Sequence, residues 1–420
     1  YERYLKEKSL TGKTPAEVMA FLYEQYGIDP SQDEPQARKM AGVRYELELR
    51  ELFFNIPAYV FAEDVNMDLI AVIKEQRVFG VNVSNVPIRE YKTDFAAHIL
   101  GRSGPIFEEE YAQLKEQGYA MDAVIGKDGM EKILESWLRG KNGVQSVETN
   151  TNGKVTNIID TQPSEPGKNC VLTIDIRLQE TAERALREHI PRLIAEGNQK
   201  WGGFDAEGGA VAVIEVKTGE ILALASYPTF KLSSFNADYK SLSENPLKPM
   251  YNRATMGIYP PGSTFKMCTS VAALEAGVIS PSTKILDKGV YMYYAPSYTP
   301  ACSLWRSSHR THGNINVVEA LKVSCNYFFY EAGRLAGIEN IDRVAAQFGL
   351  GQPTGIELPE NTGVLAGPEY SQKVGATWYP GLTLAASIGQ ADNSFSPLQL
   401  ANYVATLVNG GTRYKAHLLK

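Results

Sequence analysis

Pro163-Ser164-Glu165-Pro166-Gly167-Lys168 is the sharpest interruption in the chain, with two prolines and a glycine in six residues. Such a stretch cannot continue a helix or a central strand, so it reads as a linker. It divides the 420 residues into domains 1–165 and 166–420, each long enough to bury its own core. The composition is that of a globular protein, 44% hydrophobic and 21% charged. Lys plus Arg total 42 and Asp plus Glu 48, so the net charge is 42 − 48 = −6. That balance argues against nucleic acid as a partner, because phosphate binding needs a basic face. No run of about 18 apolar residues appears, and the start lacks an apolar signal segment. The chain opens at Tyr1 without Met, in what reads as mid-helix, and stops soon after the Gly410-Gly411 turn. Both ends read as cuts, with any membrane anchor expected upstream.

The first domain mixes helical and extended patterns. Thr14 followed by Pro15 marks a helix start, and Gln36 to Glu51 reads as a charged helix. A β-branched run covers Val78 to Val86, a second helical zone Phe107 to Leu138, and turn-rich short strands Gly140 to Asp160. No Ser/His/Asp or metal-like cluster occurs here, which suggests a structural or docking domain. In the second domain a strand is expected at Val171–Asp175 and a helix at Arg177–Glu196, kinked or broken near Pro191. Ala210–Val216 and Ile221–Ala225 flank the turn Lys217-Thr218-Gly219 as a hairpin. Strands and long helices then alternate to the end, so the fold class is α/β (α+β).

The chemistry is carried by Tyr259-Pro260-Pro261-Gly262-Ser263-Thr264-Phe265-Lys266. Prolines and glycine stop the preceding chain, and Ser263 is expected to open a helix. Three residues apart, Ser263 and Lys266 share a face, with Ser263 at the positive end of the helix dipole. A lysine amine whose pKa is depressed by burial can activate such a serine. Sixty-one residues on lies Ser324-Cys325-Asn326. In an extended or turn conformation Ser324 and Asn326 point one way and Cys325 the other. Ser324 can then relay a proton, and Asn326 can hold a substrate amide. Taken alone, Ser-x-Asn is also an ordinary capping turn before a helix.

Together these motifs resemble the penicillin-binding transpeptidases, whose nucleophile lies in a Ser-x-x-Lys motif. Flanking segments agree: Val171–Asp175 with Leu178-Gln179, Ala212–Ile214 with Thr218–Ala223, and Gly389-Gln390 with Ser396–Ala401. In the first domain Ala97–Gly101 and Gly126–Glu131 resemble the non-catalytic pedestal of the class B, monofunctional members, closest to the elongation or sporulation branch. The resemblance implies a serine penicillin-binding/β-lactamase-like transpeptidase domain at 166–420, behind a pedestal or dimerisation domain at 1–165. It implies peptidoglycan D,D-transpeptidation through a Ser263 acyl-enzyme, with catalytic residues Ser263, Lys266, Ser324 and Asn326 and no cofactor for the chemistry. Stem peptides, β-lactams and a cell-wall glycosyltransferase are the implied partners. The implied location is the extracytoplasmic face of a bacterial membrane, held by an N-terminal helix absent from this chain. The alternatives are a non-catalytic wall scaffold or a β-lactam-sensing domain.

One motif departs from the family pattern. The only Lys-Thr-Gly, Lys217 to Gly219, precedes Ser263 and belongs to the hairpin turn. The family's third motif, on a strand that walls the site and completes the oxyanion hole, would fall after Lys420. Between the first two motifs lie Asp287, Cys302, His312 and Cys325, all ligand types for tetrahedral zinc, although the spacing matches no short zinc pattern. Some elongation-type relatives resemble this by holding zinc there, with His309 a possible substitute ligand. The alternatives are a Cys302–Cys325 disulfide or unlinked buried thiols. Such a zinc would be structural, fixing the Ser324 loop. Cys268 reads as core, and Cys170 carries no signal.

Overall fold

The structure is a computed structural model that describes residues 2–31, 33–54, 59–76, 81, 83, 88–149, 155–197 and 205–420. The β-branched run at Val78–Val86 falls outside these residues except at Val81 and Val83, as does the turn expected around residues 150–153. The chain forms two compact units, residues up to 89 with 104–125, and residues 90–103 with 126–420.

In the first unit, helix α1 spans Pro15–Tyr26 and helix α2 spans Glu34–Leu49. Thr14 starts α1 through a reciprocal cap: its Oγ1 accepts from Glu17 N at 3.3 Å, and Glu17 Oε2 accepts from Thr14 N at 2.8 Å. Asp33 caps α2 with a single bond, accepting from Gln36 N at 3.1 Å. Tyr4, Val18, Leu22, Ala37 and Ala41 form the core between them. The second helical zone is short pieces only, Glu108–Leu114, Gly129–Ile133 and Glu135–Leu138. Gly118 and Gly129, both at positive φ, interrupt it.

The second compact unit also takes in segments ahead of the Pro163–Lys168 break. Residues 90–103 and 126–165 belong to it, because Ile99 and Met130 share a core with Ile221, Leu224 and Leu398. Strands β1 (Val144–Thr149) and β2 (Val155–Gln162) pair antiparallel. Helix α3 runs unbroken over Ile176–Glu196, through Pro191, starting at Asp175, whose carboxylate accepts from Arg177 N and Leu178 N. The expected hairpin is present as β3 (Gly209–Ile214) and β4 (Ile221–Tyr227). Lys217 and Thr218 are exposed in its turn. Val171–Asp175 is less regular than expected, pairing through a single antiparallel bridge, Leu172 with Leu419. It bends at Thr173, whose N donates to Leu418 O, and Asp175 N donates to Leu222 O.

Helix α4 (Lys266–Glu275) packs against α5 (Asn326–Ala336) and α6 (Ile338–Gln347). The short pair β5 (Ile285–Asp287) and β6 (Gly313–Ile315) lies between α4 and α5 in sequence. Helix α7 (Pro380–Ala386) rests on α5, and α8 (Pro397–Val408) on β3. Phe265, Cys268, Ala272, Phe328, Phe329, Ile341 and Tyr403 fill the core beneath the site. The observed class is mixed α/β, as expected.

Candidate active site and metal cluster

Ser263 sits one step earlier than expected. It belongs to a 3₁₀ turn, Gly262–Phe265, and Lys266 is the first residue of α4. Side chains three apart eclipse in a 3₁₀ turn, so the shared face survives. The turn is pinned from outside: Gly262 N donates to Gly389 O at 2.9 Å, and Tyr259 exchanges two backbone bonds of 3.0 Å with Phe395. Phe265 is fully buried, stacked on Phe395 at 6.2 Å. Ser263 therefore stays exposed on a rigid base, while Lys266 is only 1% exposed.

Ser324 has φ +52°, a left-handed conformation that costs a non-glycine residue about 1–3 kcal/mol. It follows a helical stretch, Val317–Lys322, and the reversal is held by Ser324 N donating to Leu321 O and Cys325 N to Ala320 O. Ser324 Oγ donates to Ser263 Oγ at 3.0 Å. Lys266 Nζ donates to Ser324 Oγ at 2.9 Å, Ser324 O at 2.9 Å and Asn326 Oδ1 at 2.5 Å. All four sequence-derived residues thus converge, but Ser263 meets Lys266 through Ser324 and not directly. Burial lowers the Lys266 pKa from 10.5 to about 8. At that value the amine is available as a base near neutral pH. As a neutral amine it still matches its partners, donating to the two carbonyl oxygens and accepting from Ser324 Oγ–H.

Cys325 points the other way, as the Ser-Cys-Asn alternation implied. Its Sγ caps α5, accepting from Phe328 N at 3.5 Å. It also closes a cluster with Asp287, Cys302 and His312, whose ligand atoms all lie within 4.8 Å of one another. Cys302 Sγ is 3.9 Å from Cys325 Sγ and 3.7 Å from His312 Nδ1. Asp287 Oδ2 is 2.9 Å from His312 Nδ1 and 3.6 Å from Cys325 Sγ. Tetrahedral zinc holds two thiolates about 3.8 Å apart and a thiolate and imidazole about 3.5 Å apart. The four residues fit that ion. The Cys302 and Cys325 sulfurs are not bonded in this structure, since a disulfide needs about 2.05 Å, and all four cysteines are free in it. His309 lies outside the cluster, edge-on to Trp305 at 5.4 Å. Cys268 is buried in α4 as expected.

Residues 209–420 match the family model for the penicillin binding protein transpeptidase domain, and residues 5–172 that for the penicillin-binding protein dimerisation domain. The chain belongs to the penicillin-binding protein transpeptidase family. It has the class B arrangement and is of the elongation type. The peptidoglycan D,D-transpeptidase MrdA of Acinetobacter baumannii is 32% identical over 349 residues, 81% of this chain and 49% of the relative. Pseudomonas aeruginosa PBP2 in complex with WCK 5153 superposes with TM-score 0.62 at 29% identity, covering 80% of this chain and 68% of that one. A chain of a peptidoglycan synthase complex that coordinates polymerization and crosslinking gives TM-score 0.70 at 30% identity, covering 90% of this chain and 66% of that one. The chain spans about half the length of the curated relatives it matches.

Sequence reasoning about this penicillin-binding domain missed two supporting positions. Gly389 carries the backbone oxygen that holds the Ser263 turn, and Tyr330, one helical turn after Asn326, is buried against Tyr291 with the ring centroids 5.9 Å apart. The only sequence signal for Tyr330 was its i+4 spacing from Asn326 on α5.

Proposed function

We propose that this chain cross-links peptidoglycan as a D,D-transpeptidase, with Ser263 as nucleophile, and that β-lactams acylate the same serine. The observation that carries the reading is the run of hydrogen bonds from Ser263 Oγ through Ser324 Oγ to the buried Lys266 amine. With both hydroxyls rotated, Ser263 Oγ–H donates to Ser324 Oγ and Ser324 Oγ–H to neutral Lys266 Nζ. Ser263 Oγ then attacks the penultimate D-Ala carbonyl while a proton moves along this path to Lys266. The peptide C–N bond breaks, and the leaving D-Ala amine takes a proton back through Ser324. An amine of a second stem peptide attacks the acyl-enzyme, and Ser263 regains its proton. Asn326, held by Lys266, positions the donor amide.

Asp287, Cys302, His312 and Cys325 would hold a structural zinc. Bound there, the ion supplies a fixed tie between β5, the 302–312 segment and Cys325, not a reactive centre. The two family matches support a pedestal at 1–165 and a transpeptidase domain from 166 onward. The likeness to a chain of a peptidoglycan synthase complex supports a glycosyltransferase partner. The substrate places the domain outside the membrane, carried by an N-terminal anchor. Among the described residues no helix is long and apolar enough to cross a membrane.

Intact mass after exposure to a β-lactam tests the reading. An adduct on the wild type that is absent from Ser263→Ala supports it. A folded full-length wild type that takes no adduct supports a scaffold role instead.

A further inference from the structure

A cleft of about 470 Å³ opens between Tyr294, Ser297 and Tyr298 on one side and Tyr379, Gly381 and Leu382, at the start of α7, on the other. Its size is that of a small-molecule site. None of its lining side chains is charged. Tyr379 and Tyr298 are 64% and 39% exposed, and neighbouring Tyr293 is 60% exposed. Large rings kept in water side by side mark a contact surface.

The tyrosine loop packs on α5, the helix that begins at Asn326: the Tyr291 ring lies 5.2 Å from the Tyr327 ring and 5.9 Å from that of Tyr330. Helix α7, on the other side of the cleft, rests on the same α5, whose first residue, Asn326, accepts from Lys266. The tyrosine loop is held in place at its base and its middle. Val290 pairs with Ala301, Tyr291 N donates to Pro300 O at 2.8 Å, and Tyr298 N donates to Tyr294 O at 3.0 Å. The Tyr291 hydroxyl donates to Glu331, and Arg334 binds both partners while lying 4.0 Å from the Tyr293 ring centroid. The rings are therefore presented pre-ordered, which lowers the entropy lost on binding.

We propose that this cleft is a subsite for an uncharged N-acetylated sugar ring of the glycan strand bearing the reacting stem peptide. Ring faces suit the C–H surface of a pyranose, and the tyrosine and Ser297 hydroxyls suit its hydroxyl and acetamido groups. The carboxylates and amines of a stem peptide find no opposite charge among the lining residues. The subsite rests on the transpeptidase reading and names the part of the substrate that reading leaves unplaced.

The test is titration of the whole chain with tetra-N-acetylchitotetraose, followed by saturation-transfer NMR, with a sugar-free stem pentapeptide in parallel. Tyr298→Ala and Tyr379→Ala are each expected to weaken sugar binding roughly tenfold. The Phe variants, which keep the ring, should stay within about threefold. Tyr379 is largely exposed, so its removal leaves the fold intact. Three results overturn the subsite: no saturable sugar binding by folded wild type, equal binding by the Ala variants, or loss of the peptide instead of the sugar. A β-lactam adduct on wild type is scored separately. An adduct without sugar binding overturns the subsite alone, and the absence of an adduct overturns the reading beneath it.

Discussion

At the scale of single residues, Lys266 sets the pH response. Its pKa is lowered to about 8 because burial disfavours the ammonium, so the base form appears as pH rises through that value. The rate of β-lactam acylation should therefore climb between about pH 7 and 9 with an apparent pKa near 8, followed by stopped-flow or mass kinetics. Lys266→Arg, which cannot deprotonate, should lose about 10²–10⁴-fold at every pH. A flat profile in the wild type would remove Lys266 from the role of base. Gly389 gives a second prediction. It has φ +73°, and a Cβ there would stand 2.1 Å from Gly262 O. Gly389→Ala must push the Ser263 turn aside, and displacement of about 1 Å costs on the order of 10²-fold in rate. Acylation kinetics should show that loss with the thermal transition still present. The four residues proposed to react were legible because two short motifs carried them. Gly389 was visible as part of a family segment, but its load was not, since a contact spanning 127 residues leaves no local pattern.

At the scale of elements, the segment from β5 to α5 is organised around Asp287, Cys302, His312 and Cys325. The ligand types were legible from composition and the facing of Cys325 from alternation, yet their convergence was not. The intervals of 15, 10 and 13 match no short motif, and only the β5–β6 pairing brings Asp287 beside Gly313 and hence His312. Because Cys325 separates Ser324 from Asn326, a metal tie there fixes the φ +52° turn that aims Ser324. The protein as purified should contain close to one zinc per chain by elemental analysis. Stripping it, or Cys302→Ser, should lower the thermal midpoint by roughly 10 °C, the response of a domain this size to a few kcal/mol. Acylation should slow in the stripped protein and recover on adding zinc. A metal-free chain with an unchanged midpoint would leave four satisfied buried groups and no ion. The unbroken α3 shows a different limit. Pro191 removes one backbone donor, but packing against β4 over the rest of the helix outweighs that local penalty.

At the scale of the whole molecule, distant segments meet through backbone groups that composition does not reveal. The 171–175 segment, which sequence reasoning read as a strand, is held by residues 417–419 on one side and by Leu222 on another. Gln179 on α3 pairs with β4 like a further strand residue, donating to Leu224 O and accepting from Leu224 N. Beside it, Glu183 Oε1 accepts from Gln179 Nε2 at 2.9 Å and from Ala96 N at 2.7 Å, tying residues 87 apart. Its Oε2 is buried without a partner among the described residues, and burial raises the carboxyl pKa above its ordinary 4.5. In that window the folded state holds a proton that the unfolded chain has released. Stability from this group is thus fully present at low pH and declines as pH rises through the folded pKa. Glu183→Gln keeps the acceptor for Ala96 and Gln179 while removing the charge. Urea unfolding should find this variant at least as stable as wild type at pH 8, with the advantage shrinking towards pH 5. Glu183→Ala strands the Ala96 donor and should cost about 1–3 kcal/mol at both values. Equal losses in the Gln and Ala variants would mean that the ionised carboxylate is what holds residues 90–103 to α3, and that its charge is compensated by Arg187 nearby.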